Sequence, residues 1–164
     1  MIVNLSRAEE SMCAQAGNAR YSFARCAKLN NQNVVQRTDL DVLGIRGEMA
    51  VAKVFDLDWS AFNLGHDGGV DMFFDDTSID VKTGFENARM LLFRNQEKFR
   101  SDVAVFCRQS GDAIEVVGWI NRDDYKFRSK KVDLGHGESW GLEDKFLNKI
   151  EVLWKILKQK QLKK

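Results

Sequence analysis

Val70-Asp71-Met72-Phe73-Phe74-Asp75-Asp76-Thr77-Ser78-Ile79-Asp80-Val81-Lys82 is the stretch that decides the fold. Apolar and polar positions alternate in two runs, 70–74 and 78–82, which predicts two strands joined by a turn at Asp75-Asp76. With those two as the turn residues, Met72 pairs with Ile79 and Asp71 falls opposite Asp80. Side chains alternate faces along a strand, so Val70, Met72, Phe74, Ile79 and Val81 share one face and Asp71, Asp80 and Lys82 the other. A register that keeps the apolar face on the core keeps both carboxylates together. Opposed like charges about 5 Å apart at Cβ destabilise a strand pair, and a divalent cation offsets that repulsion. Asp carboxylates are the hard oxygen ligands that Mg²⁺ prefers. Lys82, on the same face, is placed to orient a water and to stabilise charge developing on a phosphate. Asp80-Val81-Lys82 alone reads as an ordinary solvent face. The case for a site comes from an Asp at mid-length in each strand, where Asp is depleted, and from their opposition.

Upstream, Ser6-Arg7-Ala8-Glu9 fits a capping box, with Met12, Ala16, Ala19, Phe23 and Ala27 at helical spacing. A helix is predicted over 7–29, ending at Asn30-Asn31. A second helix follows Asp41, with Ile45, Met49, Ala52 and Phe55 as its apolar stripe. Glu48 lies on a row bordering that stripe, so its carboxylate is expected at the edge of the core. Gly44 and Gly47 would allow close helix-to-sheet approach. Downstream, residues 86–100 read as a helix of mixed charge, and Val103-Ala104-Val105-Phe106-Cys107 as a buried strand. Residues 114–120 read as another strand. A last helix is expected over 142–160, with Leu142, Phe146, Ile150, Leu153 and Leu157 on one face. The pattern is α/β (α+β), helices around a mixed sheet, in one domain.

The chain has 164 residues, 44% hydrophobic and 30% charged, with 25 Lys+Arg, 24 Asp+Glu and no proline. This length suits one domain with a sizeable core. The near-zero net charge of +1 hides a segregation. Residues 56–81 hold seven Asp and no Lys or Arg, and residues 145–164 hold seven Lys and one Glu. Between them Trp119, Arg122, Tyr125, Lys126, Phe127, Arg128, Lys130 and Lys131 interleave bases with aromatics, a composition suited to phosphates and unpaired bases. Arg122, Lys126, Arg128, Lys130 and Lys131 are the candidate nucleic-acid contacts. No apolar run approaches a membrane span and the first residues lack a signal-peptide core, so a cytoplasmic location is expected. Cys13, Cys26 and Cys107 form no C-x-x-C and read as free buried thiols.

Gly44-Ile45-Arg46-Gly47-Glu48, then Gly69-Val70-Asp71, then Ile79-Asp80-Val81-Lys82-Thr83, together resemble the PD-(D/E)XK nuclease superfamily over roughly residues 41–120. Val70 stands where the family name has Pro. The resemblance implies a restriction-endonuclease-like, Holliday-junction-resolvase-like core over 41–125, with a helical extension over 1–40 and a basic segment and helix over 126–164. It implies that Asp71 and Asp80 bind Mg²⁺ (or Mn²⁺), with Glu48 as a further ligand or water-positioning carboxylate and Lys82 assisting the attacking water. The implied activity is phosphodiester hydrolysis, with DNA the expected substrate and structure-directed cutting favoured by the absence of a visible specificity domain.

Two other classes stay open. A nuclease-like fold could bind nucleic acid or a protein without cutting, and the terminal helices leave room for a homodimer. His66 and Asp67, in the turn before the hairpin, are weaker candidates for metal or substrate contact. His66 and His136 are too isolated to propose a zinc site, and Gly65 to Gly69 matches no phosphate-cradling motif.

Overall fold

A computed structural model describes residues 1–26, 38–59, 69–135 and 137–162. His66, Asp67 and His136 therefore lie outside the described residues, as do Ala27, the expected helix stop at Asn30-Asn31, and the side chains of Phe23 and Cys26.

The fold is mixed α/β. In chain order it runs β1 (Ile2–Val3), α1 (Arg7–Cys26), α2 (Thr38–Val54), β2 (Met72–Phe74), β3 (Thr77–Gly84), β4 (Met90–Phe93), β5 (Val103–Ser110), β6 (Ala113–Asn121), α3 (Arg122–Arg128), β7 (Lys130–Asp133), β8 (Glu138–Glu143) and α4 (Ile150–Gln161). Five strands form one sheet in the order β1-β6-β5-β3-β2, and β4-β8-β7 form a second. Among the described strands only β3 and β5 run parallel.

The uninterrupted run 103–107 is explained by its place. β5 is the middle strand of the five and is covered on both faces, so it has no polar side to show. Val103, Val105 and Cys107 join Ile79 and Val81 beneath α2 and α4, which contribute Ala50, Val51, Phe55, Ile150, Leu153 and Leu157. Ala104 and Phe106 face the second sheet and α3, packing with Leu91, Phe93, Phe99, Tyr125 and Leu142. Ser78 and Asp102 lock the start of the parallel pair: Asp102 Oδ2 accepts from the Ser78 amide (2.9 Å) and hydroxyl (2.7 Å), and the Asp102 amide donates to Ser78 Oγ (2.9 Å). These bonds hold the Asp102 carboxyl below its ordinary pKa.

The predicted hairpin forms in the expected register, with Met72 opposite Ile79 and Phe74 opposite Thr77. Asp75 adopts the left-handed φ of 49°, which Asp tolerates in a tight turn. The capping box also forms. The Ser6 amide donates to Glu9 Oε2 (2.5 Å) and the Glu9 amide to Ser6 Oγ (3.3 Å). Lys53 Nζ, at the end of α2, binds the same Glu9 carboxylate at 2.9 Å, tying the two helices together.

Four expectations need correction. Residues 86–100 are not a helix: they hold β4 and a single 3₁₀ turn at Gln96–Lys98. The mixed charges of that segment belong to turns, while Leu91 and Phe93 pair with Leu142 and Trp140 of β8. The last helix starts at Ile150, not 142, because Leu142 is strand in the second sheet and Phe146 is exposed. The buried face of α1 is rotated by one residue from the expected stripe. Cys13 and Ala16 pack against Ile45 and Met49 of α2, while Met12 and Ala19 face outward. Gly17 makes that crossing close: a Cβ there would meet Val42 at 2.6 Å. Trp119 and Tyr125, read as part of a stacking surface, are core residues.

Cys13 and Cys107 are free and buried. Burial pushes the Cys13 thiol up to about 12 and raises that of Cys107 further, so both behave as small hydrophobes. Among the described residues no helix is long and apolar enough to cross a membrane.

The Ser6 amide and Lys53 hold the Glu9 carboxyl below its ordinary pKa. A carboxyl depressed in the fold stabilises it above the unfolded pKa, near ~4.3, and loses that contribution as pH falls through the folded value. Glu9→Ala should therefore lower stability by about 1 kcal/mol at neutral pH, with the gap between variant and wild type closing toward about pH 3. Urea unfolding followed by circular dichroism across that range reads it.

Candidate active site

Three carboxylates and two cations meet where the chain enters β2. β2 begins at Met72, so Asp71 sits one residue beyond the backbone ladder. Its amide still donates to the Ile79 carbonyl (2.9 Å). Its side chain then takes over the role of a ladder carbonyl, with Oδ2 accepting from the Val81 amide at 2.6 Å. The edge of β3 opposite Asp71 is thus held by a carboxylate.

Asp80, on β3, is 1% exposed and stands beside Ala104 of β5. Lys82 shares its face and donates to Asp80 Oδ1. The ammonium also lies over the Phe93 ring, 5.3 Å from its centroid, and the side chain keeps 39% exposure. Lys82 is thus the link between a buried acid and solvent.

Glu48 comes from α2. Gly47 permits its approach, since a Cβ there would lie 1.8 Å from Thr83 Oγ1. The other expected contact glycine, Gly44, has open space beside it. Glu48 is 3% exposed and more deeply buried than the core edge expected of it. Arg20 of α1 accounts for this: its Nη1 and Nη2 donate to Oε1 (2.7 Å) and Oε2 (3.2 Å) of Glu48. A two-pronged guanidinium matches a carboxylate in geometry as well as charge.

The acids repel one another. Burial, then Glu48, then Asp80, raises the Asp71 carboxyl far above the usual carboxylate range, and Lys82 and the Val81 amide only partly oppose this. The four residues singled out from the sequence, Glu48, Asp71, Asp80 and Lys82, therefore occupy one electrostatic neighbourhood. Among the described residues, no three His, Cys, Asp or Glu side chains are gathered into a ready-made metal cage. Both Glu48 oxygens, Asp71 Oδ2 and Asp80 Oδ1 are instead turned toward Arg20, the Val81 amide and Lys82. The donor set nevertheless fits a hard dication by its chemistry: acidic oxygens, one of which burial and its two carboxylate neighbours drive toward its protonated form.

The basic candidates lie on and beyond α3. Arg128 and Lys130 are exposed. Lys126 pairs with Glu97 at 3.1 Å, Lys131 with Glu138 at 3.3 Å, and Arg122 Nη1 donates to the Arg100 carbonyl at 2.8 Å. Sequence reasoning missed two groups. Arg20 was legible in principle, three and seven residues beyond Gly17 and Cys13 on the buried face of α1. Lys98 and Arg100 were hidden by reading 86–100 as a helix.

The chain matches no protein-family model, no curated protein and no solved structure. A functional assignment therefore rests on its own geometry.

Removing one member of a buried ion pair strands the other. Arg20→Met should destabilise the protein by about 3 kcal/mol, and Arg20→Met with Glu48→Met should recover most of it. Chemical denaturation of the two single variants and the double variant measures the coupling.

Proposed function

We propose that this protein is a metal-dependent nuclease that hydrolyses phosphodiester bonds in DNA. The observation that carries the proposal is half-buried Asp71 in the company of buried Glu48 and Asp80, with Lys82 bonded to Asp80 and partly exposed. Asp71 and Asp80 would hold a divalent cation, Mg²⁺ or Mn²⁺, with Glu48 as third ligand or as the carboxylate that positions water. Such a cation, when bound, supplies Lewis-acid polarisation of a phosphoryl oxygen and lowers the pKa of water.

The chain's own residues do the rest. The Val81 amide fixes the Asp71 carboxylate at the mouth of the hairpin. Asp80 fixes the Lys82 ammonium by charge, and the Phe93 ring supports it from one side, leaving its outer side open to substrate. That ammonium is positioned to orient a water and to stabilise negative charge building on the phosphate. Arg20 holds Glu48 in the interior at the cost of engaging both its oxygens. Basic side chains on α3 and β7 supply affinity for the phosphate backbone.

One observation favours a second reading, a nuclease-like module that binds without cutting. Arg20 takes both oxygens of Glu48, and a site that never receives a metal has the same use for that ion pair. The two readings separate by assay. Plasmid, linear, branched and single-stranded DNA are incubated with Mg²⁺ or Mn²⁺ and the wild type, Asp80→Asn or Lys82→Ala. The nuclease cuts at least one substrate, Asp80→Asn cuts none, and Lys82→Ala is slower by about 10²–10³-fold. Wild type and Asp80→Asn equally inert on every substrate would remove the enzyme and leave the binding module.

A further inference from the structure

Phe127 is 89% exposed, although it lies in a helix whose other aromatic, Tyr125, is fully buried with its hydroxyl donating to the Trp140 carbonyl at 2.6 Å. The two differ because α3 is short and amphipathic. Tyr125 fills the space between the sheets, and Phe127, two residues on, points the other way. The core makes no use of that ring, and what it can serve depends on the charges around it.

Its surroundings say which partner. Arg128 and Lys130 flank it in sequence, and both are exposed. The 3₁₀ turn and the residues after it bring Lys98 and Arg100 alongside. Gln96 Nε2 donates to the Lys126 carbonyl (2.8 Å) and Ser129 Oγ (2.9 Å), and Arg122 Nη1 donates to the Arg100 carbonyl (2.8 Å). Two segments far apart in sequence are thereby clamped into one surface. Glu97 and Asp123 are exposed there too, and cations from both segments outnumber them.

The surface is also linked to the candidate site through the core and through the chain that enters Asp71. Lys82 lies over Phe93, and Phe93 stacks on Phe99 (centroids 4.8 Å apart) and meets Tyr125 edge-on (5.1 Å). One aromatic layer therefore separates Lys82 from the helix that carries Phe127. Ser101 Oγ donates to the Gly69 carbonyl at 2.8 Å, so the turn bearing Lys98 and Arg100 leads directly to the chain entering Asp71.

We infer that this surface docks an unpaired DNA strand, with Phe127 stacking on a base and Lys98, Arg100 and Arg128 holding phosphates on the way to Lys82. Cations alone would serve a duplex equally well. An exposed ring set among cations suits a base that is free of its own stack. The inference deepens the nuclease proposal by naming its substrate class, DNA with a single-stranded portion, and rests on that proposal for the route to Lys82.

The test uses the full chain in EDTA, so that binding is read without cleavage. Fluorescence anisotropy compares a labelled oligothymidylate with a labelled duplex, for wild type, Phe127→Ala and Phe127→Trp. The expected result is tighter binding of the single strand, weakened about 10-fold by Phe127→Ala, kept by Phe127→Trp, with duplex binding changed less than about 2-fold. Circular dichroism melting of both variants should match wild type, as the ring touches little. Binding of the oligothymidylate that ignores Phe127→Ala overturns the inference, as does equal loss on strand and duplex. Phe127-dependent binding of vesicles containing phosphatidylserine, with no binding of DNA, overturns it in favour of a membrane surface. Tighter binding of an oligouridylate overturns the assignment to DNA. The two claims fail separately. Phe127-dependent binding without cleavage in Mg²⁺ sinks the nuclease, and cleavage of single strands at wild-type rate by Phe127→Ala sinks the docking surface.

Discussion

Buried carboxylates that repel one another are the constraint on which the rest of this molecule turns. Glu48, Asp71 and Asp80 come from a helix, a strand end and a strand interior; Glu48 and Asp80 are buried and Asp71 half-buried, and each needs compensation for leaving water. Arg20 compensates Glu48, Lys82 compensates Asp80, and the Val81 amide serves Asp71. The compensators tie α1, α2, β2 and β3 into one unit. α1 does more than lengthen the core as an extension: it brings the guanidinium that pairs with Glu48 in the interior. Burial, then Glu48 and Asp80, raises the Asp71 carboxyl above its usual range, and a divalent cation would favour its charged form.

The two-layered packing of the central sheet determines which way these groups point. β3 and β5 send Ile79, Val81, Val103 and Val105 beneath α2 and α4. The alternate positions, Asp80, Lys82, Ala104 and Phe106, face the second sheet. A polar pair on that face survives because the neighbour across β5 is the small Ala104 and because Phe93 offers Lys82 a ring rather than a wall. The hairpin ladder stops at Met72, and beyond it the edge of β3 is bound by the Asp71 amide and carboxylate instead.

Much of this is legible in the order of the residues alone. The alternation on both sides of Asp75-Asp76 specifies the register, because a one-residue slip would bury Asp71 and Asp80 in the apolar face. The capping box specifies the start of α1. Glu48 could be placed near the hairpin only through resemblance, since helix periodicity gives a row and not a partner. What was missed has physical causes. Residues 86–100 carry charges at helix-like intervals, but their long-range pairing with β8 outweighs local preference. The Arg20–Glu48 pair joins residues 28 apart, and no spacing rule reaches that far. Trp119 and Tyr125 sit among bases and look like stacking rings, yet each is anchored by hydrogen bonds to backbone carbonyls, of Lys149 and Trp140 respectively.

The central claim is that the hairpin mouth holds a divalent cation, and a crystal soaked in Mn²⁺ tests it most directly. The account predicts an anomalous peak between Asp71 and Asp80, with carboxylate oxygens within about 2.0–2.3 Å and the Lys82–Asp80 contact rearranged around the ion. A soaked crystal with no peak there, and with Arg20 on Glu48 and Lys82 on Asp80 unchanged, would contradict it.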